Sequence, residues 1–441
     1  MNIDVAVLLR YRRSSTYGHH ALLGALQTYD GAMRYEVGFC RSAEKLATGI
    51  EEALTRAERV LVLWSFYSPD VPALSEELRA VRARVDDPRV VHVAGGVHAT
   101  AEPLHTLHAG WDVAAVGEGE TTVLRLVDVL GQGGSLHEVP GLALPDPERG
   151  LVRTGPAVRE ELDRFPSFAP RWNRFSPIEI TRGCVYACRF CQTPFMFSAR
   201  FRHRSVASVR EHVREMTARG LRDVRFITPT SLSYGSPDTE PRLDAVEELL
   251  SAVKEEQKPD GRVFFGSFPS EIRPEHVSVE AMRMLRRYVA NDNIIIGAQS
   301  GSESVLQSAK RGHGVQVIRD AVRIAIECGF RVNVDFIFGM PGEGEADEEA
   351  SIALAAELAD LGARIHAHTF MPLPGTPWRD APAGRPSGRT LIAIEELTNQ
   401  GNLYGHWRRQ VEHAEVMAER AKAYPRRGGA HRRGTPPRRG R

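Results

Sequence analysis

The sequence predicts an α/β protein of two domains, each built on a parallel sheet, and three observations support this prediction. The chain has 441 residues, and at roughly 150 residues per domain this length corresponds to two or three domains. Short apolar runs alternate with amphipathic segments along most of the chain, as in parallel sheets with right-handed crossovers. Hydrophobic residues make up 42% and charged residues 26% of the chain, which is the balance of a globular rather than a disordered protein.

Residues 1–135 are predicted to form a doubly wound, Rossmann-like domain. Apolar runs predict strands, and amphipathic stretches at 18–28 and 43–57 predict helices between them. The predicted strands are 5–9, 34–38, 59–64, 90–94 and 112–116. Small residues follow several of these strands, and in such a sheet they mark the edge at which a ligand binds.

Three further regions follow the first domain. Residues 136–172 hold six prolines and alternating charge, a composition that predicts a linker or a small hairpin between domains. Residues 173–380 again alternate strands with helices, and residues 381–424 predict a helical C-terminal segment. The six predicted strands of the second domain are 177–180, 223–227, 262–266, 293–297, 331–338 and 364–370.

The C-terminal tail, residues 425–441, holds seven arginines and no acidic residue. The whole chain has a formal net charge of +1, and without this tail 50 basic and 56 acidic residues remain. The tail is expected to be disordered, and because it has no aromatic side chain to stack on bases, nucleic-acid binding is not expected. The sequence has neither a long apolar run nor the features of a secretory signal, so no membrane association and a cytoplasmic location are expected.

Three of the five cysteines, Cys184, Cys188 and Cys191, lie within eight residues in a C-x3-C-x2-C pattern. An odd number of cysteines argues against a disulfide framework. Three thiolates on one loop suit a [4Fe–4S] cluster whose fourth iron stays open for a ligand from outside the protein. A zinc site that borrows a distant fourth ligand remains the alternative. Cys40 and Cys328 are expected to be small buried hydrophobic residues.

This cysteine pattern, with Phe190 before the last cysteine and a short strand in front, resembles that of the radical S-adenosylmethionine (radical SAM) enzymes. In that family the open iron binds the methionine moiety of SAM, and reductive cleavage gives methionine and a 5′-deoxyadenosyl radical. The resemblance implies a partial (β/α)6 barrel with its chemistry at the carboxyl ends of the strands. It also implies an electron donor such as flavodoxin or ferredoxin.

The segments that follow the barrel strands resemble the SAM-binding turns of the family. Thr230 and Ser231 stand where the family usually has Gly-Gly-Glu, which holds the methionine amino group. Gln299 and Ser300 belong to Gly-Ala-Gln-Ser-Gly-Ser, similar to the family's Gly-x-Glu-Ser-Gly-Ser, and an amide replaces the acid that commonly contacts the ribose. Gly339 lies in a glycine-rich turn that resembles the one passing the adenine. The resemblance implies that these residues bind SAM.

Two more resemblances concern a second cofactor. Met371 opens Met-Pro-Leu-Pro-Gly-Thr-Pro, which is similar to a segment of radical SAM enzymes that carry an N-terminal cobalamin or methylthiolation domain. The first domain resembles the cobalamin (B12)-binding domain that precedes many radical SAM domains. Ser65, Gly95 and Gly96 occupy the places of the turns that pack against the nucleotide tail of B12, so the resemblance implies that they bind cobalamin.

The first domain departs from the B12-binding pattern at one loop. The family's Asp-x-His-x-x-Gly loop is missing, and His19 and His20 stand in the corresponding stretch. Two histidines at the start of a helix are expected to face solvent rather than cobalt. His98 is expected to be structural or at a rim. Cobalamin bound without a protein imidazole and a domain that binds nothing both remain open.

The sequence therefore predicts a radical SAM enzyme that uses cobalamin to methylate an unactivated carbon of an unknown small-molecule or peptide substrate. A cobalamin-independent rearrangement or oxidation remains open. Methylthiolation of RNA or protein is disfavoured, because it needs a second cluster on three N-terminal cysteines and only Cys40 lies there. The alternative of a different class is a noncatalytic metal sensor that binds nucleic acid through its Arg-rich tail.

Overall fold

A computed structural model of the protein describes residues 3–425, and it confirms the α/β fold built on parallel sheets. The disorder predicted for 425–441 falls, apart from Pro425, outside the described residues. No helix within residues 3–425 is long and apolar enough to cross a membrane.

The first domain is a sheet with helices on both faces. Its strands are β1 (Ile3–Arg10), β2 (Tyr35–Cys40), β3 (Ala57–Ser65), β4 (Val90–Gly95), β5 (Val113–Ala115), β6 (Leu142–Asp146) and β7 (Gly150–Arg153). Its α-helices are α1 (Thr16–Leu26), α2 (Ala43–Leu54), α3 (Val71–Arg84), α4 (Val97–Ala101), α5 (Pro103–His108) and α6 (Glu120–Gly131). The spatial order is β2-β1-β3-β4-β5-β6-β7, and β1 to β5 are parallel.

Strand β3 shows why this sheet is doubly wound. Val60, Val62 and Trp64 are buried in the apolar cluster on one face, while Leu61 and Leu63 are buried in the cluster on the other. Successive side chains of a strand point to opposite faces, so a continuous apolar run needs a helical layer on each side. The five strands predicted for this domain are confirmed, whereas α3 was not predicted.

The linker or small hairpin predicted over 136–172 contains a hairpin in its first part, and this hairpin continues the sheet of the first domain. β6 pairs antiparallel with β5, and β7 pairs antiparallel with β6. Leu142 and Leu144 are buried in the same apolar cluster as β1. The hairpin covers the open edge of β5, which a parallel sheet must otherwise leave unpaired. Its prolines obscured the alternating apolar residues, although Pro145 is tolerated in this peripheral hairpin.

The second domain is a partial barrel. Its strands are β8 (Ile178–Glu179), β9 (Thr181–Arg182), β10 (Arg202–His203), β11 (Asp223–Ile227), β12 (Arg262–Phe264), β13 (Asn293–Gln299), β14 (Arg331–Phe338), β15 (Arg364–Thr369) and β16 (Leu403–Tyr404). Its α-helices are α7 (Thr193–Met196), α8 (Val206–Ala218), α9 (Leu243–Glu256), α10 (Val279–Tyr288), α11 (Glu303–Ser308), α12 (Val315–Glu327), α13 (Glu345–Asp360), α14 (Gly388–Asn399) and α15 (Trp407–Ala423). The six predicted strands are confirmed as β8 and β11 to β15.

The barrel strands form one parallel arc, with a backbone junction between two sheets. β8, β11 and β12 form one sheet, and β13 to β16 form the other. The two are joined by a bridge between Ile272 and Ile296 and by the Ile295 amide, which donates to the Gly266 carbonyl at 2.8 Å. The helical C-terminal segment contains β16, a strand that was not predicted, and it pairs parallel with β15.

Candidate functional site

The three clustered cysteines lie on the loop between β9 and α7, at the carboxyl end of the first barrel strand. Cys184 and Cys188 are buried, Cys191 is half-buried, and all three are free thiols. Gly183, at φ +80°, starts the loop, and a Cβ there would lie 2.1 Å from the Arg200 carbonyl oxygen. Only glycine fits both this left-handed backbone and the close approach. The sequence pattern thus occupies a tightly constrained turn.

The spacing of the cysteine sulfurs distinguishes a cluster from a single metal ion. We consider groups of three His, Cys, Asp or Glu side chains whose possible metal-ligand atoms all lie within 4.8 Å of one another. Among residues 3–425, the one such group is Asp335, His366 and His368. At least one pair of the three cysteine sulfurs therefore lies more than 4.8 Å apart. Sulfurs around one zinc lie roughly 3.8 Å apart, given Zn–S bonds of about 2.3 Å in a tetrahedron. A four-iron cluster binds each cysteine through a different iron and suits the wider spacing.

Burial keeps the Cys184 and Cys191 thiols protonated when no metal is bound. It raises the pKa of Cys184 to about 12 and also raises the pKa of Cys191. A metal centre binds thiolates, so its assembly must displace these protons. The site is therefore chemically suited to a cationic centre and poorly suited to free thiolate chemistry.

Hydroxyl groups lie unpaired at the ends of neighbouring barrel strands. Thr230 is 1% exposed, and its Oγ1 has no hydrogen-bond partner within the described chain. Ser267 is also buried, and its Oγ likewise lacks a partner there. Ser231, in contrast, donates to Ser270 Oγ at 3.2 Å, and the Ser233 side chain is hydrogen-bonded to Tyr186. Buried polar groups without partners are rare, so two at neighbouring strand ends indicate a site for a polar ligand; Ser267 was missed because an isolated serine carries no pattern.

Gln299 lies in a crowded polar corner at the end of β13. It has φ +77° and is 4% exposed, beside an irregularity in the pairing of β13 with β14. A Cβ on Gly297 would lie 2.7 Å from Gln299 Nε2, 3.1 Å from Glu271 Oε2 and 3.2 Å from Arg311 Nη2. Burial raises the pKa of Glu271 to about 7. Glu271 was missed from the sequence, because it lies in a loop segment with no recognisable motif.

Ser300 is engaged within the protein. Its Oγ lies 3.1 Å from Ser351 Oγ and accepts a hydrogen bond from the Ser302 amide at 3.1 Å. These contacts fix the turn against α13. The structure thus gives the Ser300 hydroxyl a turn-forming role, whereas Gln299 beside it is directed into the corner just described.

Phe190 is brought to the far side of the arc, where it packs against Met340 and Phe370 after β14 and β15. Gly339 has φ +76°, and a Cβ there would lie 2.8 Å from the Arg385 amide nitrogen. Met371 follows Phe370 directly and is half-buried. The cysteine loop and the predicted adenine turn therefore meet in one apolar cluster.

Glu343 closes the turn after β14. Its Oε2 accepts the Gly339 and Met340 amides, the latter at 3.0 Å. Its Oε1 is buried and has no partner among residues 3–425, and burial raises the pKa of this carboxyl to about 7. A carboxyl group with one free buried oxygen is suited to a hydrogen-bond donor of a ligand at this turn.

A polar group on the concave face of the arc was missed from the sequence. His366 Nδ1 lies 2.9 Å from Asp335 Oδ1, and His368 Nδ1 lies 3.1 Å from Gln410 Nε2. Gln410 Oε1 accepts the Thr369 amide at 2.9 Å, which fixes the amide so that its NH2 group faces His368. The sequence pattern that could have revealed this group is the polar residues at alternate positions of two otherwise buried strands.

These contacts fix the hydrogen-bonding character of both imidazoles. Since His368 Nδ1 accepts from Gln410, its Nε2 carries the proton and donates. Burial lowers the pKa of His368 to about 4, so this ring stays neutral. When the His366 ring is neutral, its Nδ1 donates to Asp335 and its Nε2 is an acceptor. The concave face thus offers one donor and one acceptor rather than a ready set of metal ligands.

In the first domain, three predicted residues lie at the carboxyl edge of the sheet. Gly96 has φ +87°, and a Cβ there would lie 3.0 Å from Ser65 Oγ, so the two residues meet. Gly95 has room, because its nearest neighbours are 3.9 Å from an added Cβ. A cavity of about 550 Å³ lies between this domain and α7, lined in part by Gly117 and Met196.

The expectation that His19 and His20 face solvent was wrong. His19 is 0% and His20 is 2% exposed, because α1 packs this face onto the sheet. His20 Nε2 lies 2.7 Å from the Tyr11 hydroxyl, and burial lowers the pKa of His19 to about 3 and of His20 to about 4. His98 is structural, as expected, with Nδ1 2.9 Å from Ser68 Oγ. Cys40 is buried as expected, while Cys328 is half-buried.

A buried ion network joins the first domain to the cysteine loop. Arg182, two residues before Cys184, donates at 2.6 Å to both Glu118 and Glu120 of the first domain and at 2.7 Å to Glu179. Arg182, Glu118 and Glu120 are each less than 10% exposed. The loop is therefore positioned from both domains.

Comparisons with known proteins agree with this arrangement. The family model of the radical SAM superfamily matches residues 178–355, from the first barrel strand into α13. A tRNA-2-methylthio-N(6)-dimethylallyladenosine synthase of Neisseria gonorrhoeae is 25% identical over 307 residues, covering 67% of this chain and 67% of the relative.

Two solved structures share the fold of both domains. The radical S-adenosylmethionine methyltransferase TsrM of Kitasatospora setae, solved with cobalamin and a [4Fe–4S] cluster, superposes with a TM-score of 0.66 at 20% identity, covering 86% of this chain and 74% of TsrM. The cobalamin-dependent radical enzyme OxsB gives 0.64 at 14% identity, covering 80% of this chain and 52% of OxsB. At these identities the likeness shows the fold.

Proposed function

We propose that this chain, which carries a radical SAM domain behind a domain of the B12-binding type, binds a [4Fe–4S] cluster through Cys184, Cys188 and Cys191 and cleaves SAM. The observation that carries the proposal is the placement of three free cysteine thiols on one loop at the carboxyl end of the first barrel strand, within the segment that the radical SAM family model matches. The unpaired hydroxyl of Thr230 and the Gln299 corner lie at the same edge, where SAM would need polar contacts.

We further propose that the enzyme methylates an unactivated carbon with the help of cobalamin. The cluster would supply the electron that cleaves SAM, and cobalamin would supply the methyl group. Both domains share their fold with TsrM and OxsB, and a cavity lies between the first domain and Met196 of α7, the helix that follows the cysteine loop. The first domain would hold cobalamin at Ser65 and Gly96, and flavodoxin or ferredoxin would supply electrons.

The substrate would lie on the concave face of the barrel. There His366 offers an acceptor and His368 a donor, which together suit an uncharged group such as a hydroxyl or an amide. The carboxylate of Asp335 behind His366 makes the face unfavourable for an anionic group.

The test is anaerobic reconstitution with iron, sulfide and hydroxocobalamin, followed by gel filtration and reduction in the presence of SAM. We expect bound iron and sulfide, corrinoid absorbance that elutes with the protein, and formation of both 5′-deoxyadenosine and S-adenosylhomocysteine. Cys328→Ala is the matched control, because this cysteine lies outside the loop and its loss should change none of these. Protein without iron and labile sulfide would overturn the proposal and favour a zinc or sensor role.

Two other outcomes separate the remaining alternatives. 5′-Deoxyadenosine without S-adenosylhomocysteine or bound corrinoid would indicate a rearrangement or oxidation. The Neisseria relative favours methylthiolation as a second candidate. That reaction needs a second cluster, and before residue 184 this sequence contains only Cys40. Eight irons rather than four per chain would support it.

A further inference from the structure

Two buried arginines converge on one cysteine of the loop from distant parts of the sequence. Arg311, in the turn after α11, places Nη1 3.4 Å from Cys188 Sγ. Arg273, in the segment between β12 and α10, places its own Nη1 3.9 Å from the same sulfur. Both residues are 3% exposed. Charged groups are seldom buried so completely without a specific partner.

Contacts other than the sulfur hold both guanidinium groups in place. Arg311 Nη2 donates to the Gly297 carbonyl at 2.6 Å. Arg273 donates to Glu275 Oε1 at 2.5 Å and to the Arg311 carbonyl, and its guanidinium lies 3.5 Å from the Tyr186 ring centroid. The two groups are therefore aimed at Cys188 by the fold itself and do not depend on the sulfur for their position.

The charge beside Cys188 is positive on balance. Glu275 is ionised, because the Arg273 charge outweighs burial and lowers its pKa. Glu271 is held back from ionisation by burial, which raises its pKa to about 7. Burial also lowers the pKa of His313 to about 3, so this neighbour of Arg311 is neutral. Two guanidinium charges thus face one carboxylate and one partly protonated carboxyl.

We propose that Arg311 and Arg273 raise the reduction potential of the cluster by donating N–H···S hydrogen bonds to Cys188 and by placing positive charge beside it. This inference rests on the proposed function, since it needs a cluster on the cysteine loop. Hydrogen bonds to cluster sulfurs and local charge are two of the terms that set such potentials, and both favour the more negative, reduced form. The arginines are proposed to influence the reaction only through the reduction potential of the cluster, without contacting the substrate.

The experiment measures the midpoint potential of the reconstituted cluster by redox titration monitored by electron paramagnetic resonance. Arg311→Met and Arg273→Met each remove a charge and its N–H donors while keeping most of the volume. We expect each to reduce the ratio of reduced to oxidised cluster at least tenfold at a fixed solution potential, a shift of about 59 mV for a one-electron couple. Arg311→Lys keeps the charge and should shift the potential less. Arg286→Met, at an exposed position of α10, is the control and should shift nothing.

Each outcome has a separate meaning. Unchanged potentials in both Met variants, with iron and sulfide equal to the parent, would overturn the inference. If Arg311→Met fails to hold a cluster, Arg273→Met decides, because it leaves Arg311 in place. A parent protein that takes up no cluster would instead be a failure of the proposed function.

Discussion

Two edges of the molecule are candidate ligand sites: the carboxyl ends of the barrel strands (the barrel edge) and the carboxyl edge of the first-domain sheet. The two edges are built differently. At the barrel edge, Thr230 and Glu343 keep buried polar atoms without partners, and Arg311 is buried against a cysteine. At the edge of the first domain, Gly96 and Ser65 meet by close packing without charge. The barrel edge therefore combines buried oxygens that are unpaired within the described chain with a buried cation, whereas the Gly96 turn at the other edge is shaped by close packing beside imidazole nitrogens of His19 and His20 that likewise lack partners there. Unsatisfied polar groups cost stability and are retained where a ligand satisfies them.

The largest effect is expected from a variant that cannot hold the proposed iron–sulfur cluster. Cys188→Ala should lose nearly all iron, labile sulfide and SAM cleavage, because a cluster held by two cysteines is not retained. Iron and sulfide analysis of anaerobically reconstituted protein measures this. Cys40→Ala, buried in the first domain, should keep a full cluster. Full iron and sulfide in Cys188→Ala would contradict the assignment of the barrel edge.

The next largest effect is expected from breaking the buried ion network of Arg182, which joins the first domain to the cysteine loop. Arg182→Met leaves Glu120 buried without its partner, and breaking a buried ion pair in this way costs about 3–5 kcal/mol in the free energy of unfolding. The urea midpoint at pH 7 should fall accordingly. Arg84→Met removes an exposed pair with Glu51 and should cost below about 1 kcal/mol. Equal effects of the two variants would show that the Arg182 network contributes only as a surface pair does.

The stabilisation of Glu120 by Arg182 also predicts how the stabilities of the parent and Arg182→Met differ with pH. Burial opposes ionisation of Glu120, but the charge and hydrogen bond of Arg182 outweigh it and lower its pKa below 4.5. This stabilisation is present above pH 4.5 and is lost as the pH falls through the folded-state value. Without Arg182, burial alone raises the pKa of Glu120. The stability gap between parent and Arg182→Met should therefore be widest near neutral pH and narrow towards pH 4, as measured by urea unfolding across that range.

The sequence predicted these two edges unequally well. The cysteine loop and the six barrel strands follow from local spacing and periodicity, and the structure places Cys184 and Phe190 on one loop between β9 and α7. Arg311 and Glu271 reach the same corner through tertiary packing, which no local pattern encodes. The small hairpin predicted as one alternative for 136–172 is present at 142–153, but its membership in the sheet of the first domain was not predicted, because pairing with β5 is a tertiary contact. His19 was misjudged because its burial depends on helix packing.

A smaller effect tests the shape-based edge with a matched pair of glycines. Gly96→Ala forces a side chain into a backbone region, φ +87° and ψ −170°, that is essentially restricted to glycine, which costs about 1–3 kcal/mol, and brings its Cβ to 3.0 Å from Ser65 Oγ. Gly95→Ala meets only contacts at 3.9 Å and should stay within about 0.5 kcal/mol. Urea unfolding measures both, and gel filtration with hydroxocobalamin should show less retained corrinoid for Gly96→Ala alone. Equal retention in the two variants would argue against cobalamin at this turn.

The smallest effect is expected on the concave face of the barrel, which belongs to neither of the two edges. Asp335, His366 and His368 lie close enough to hold a metal, yet the Gln410 amide fixes the proton of His368 on the nitrogen that would have to bind it. Gln410→Glu replaces this donor by an acceptor, so that Nδ1 donates and Nε2 gains a free lone pair, as in carboxylate–histidine–zinc triads. Zinc affinity at this group should rise about 10–100-fold, measured by zinc analysis of cluster-loaded protein after dialysis. His368→Ala in the same background should abolish the gain. Stoichiometric zinc in the parent would mean that the tautomer is reversed and that the concave face is a metal site instead of a hydrogen-bonding surface.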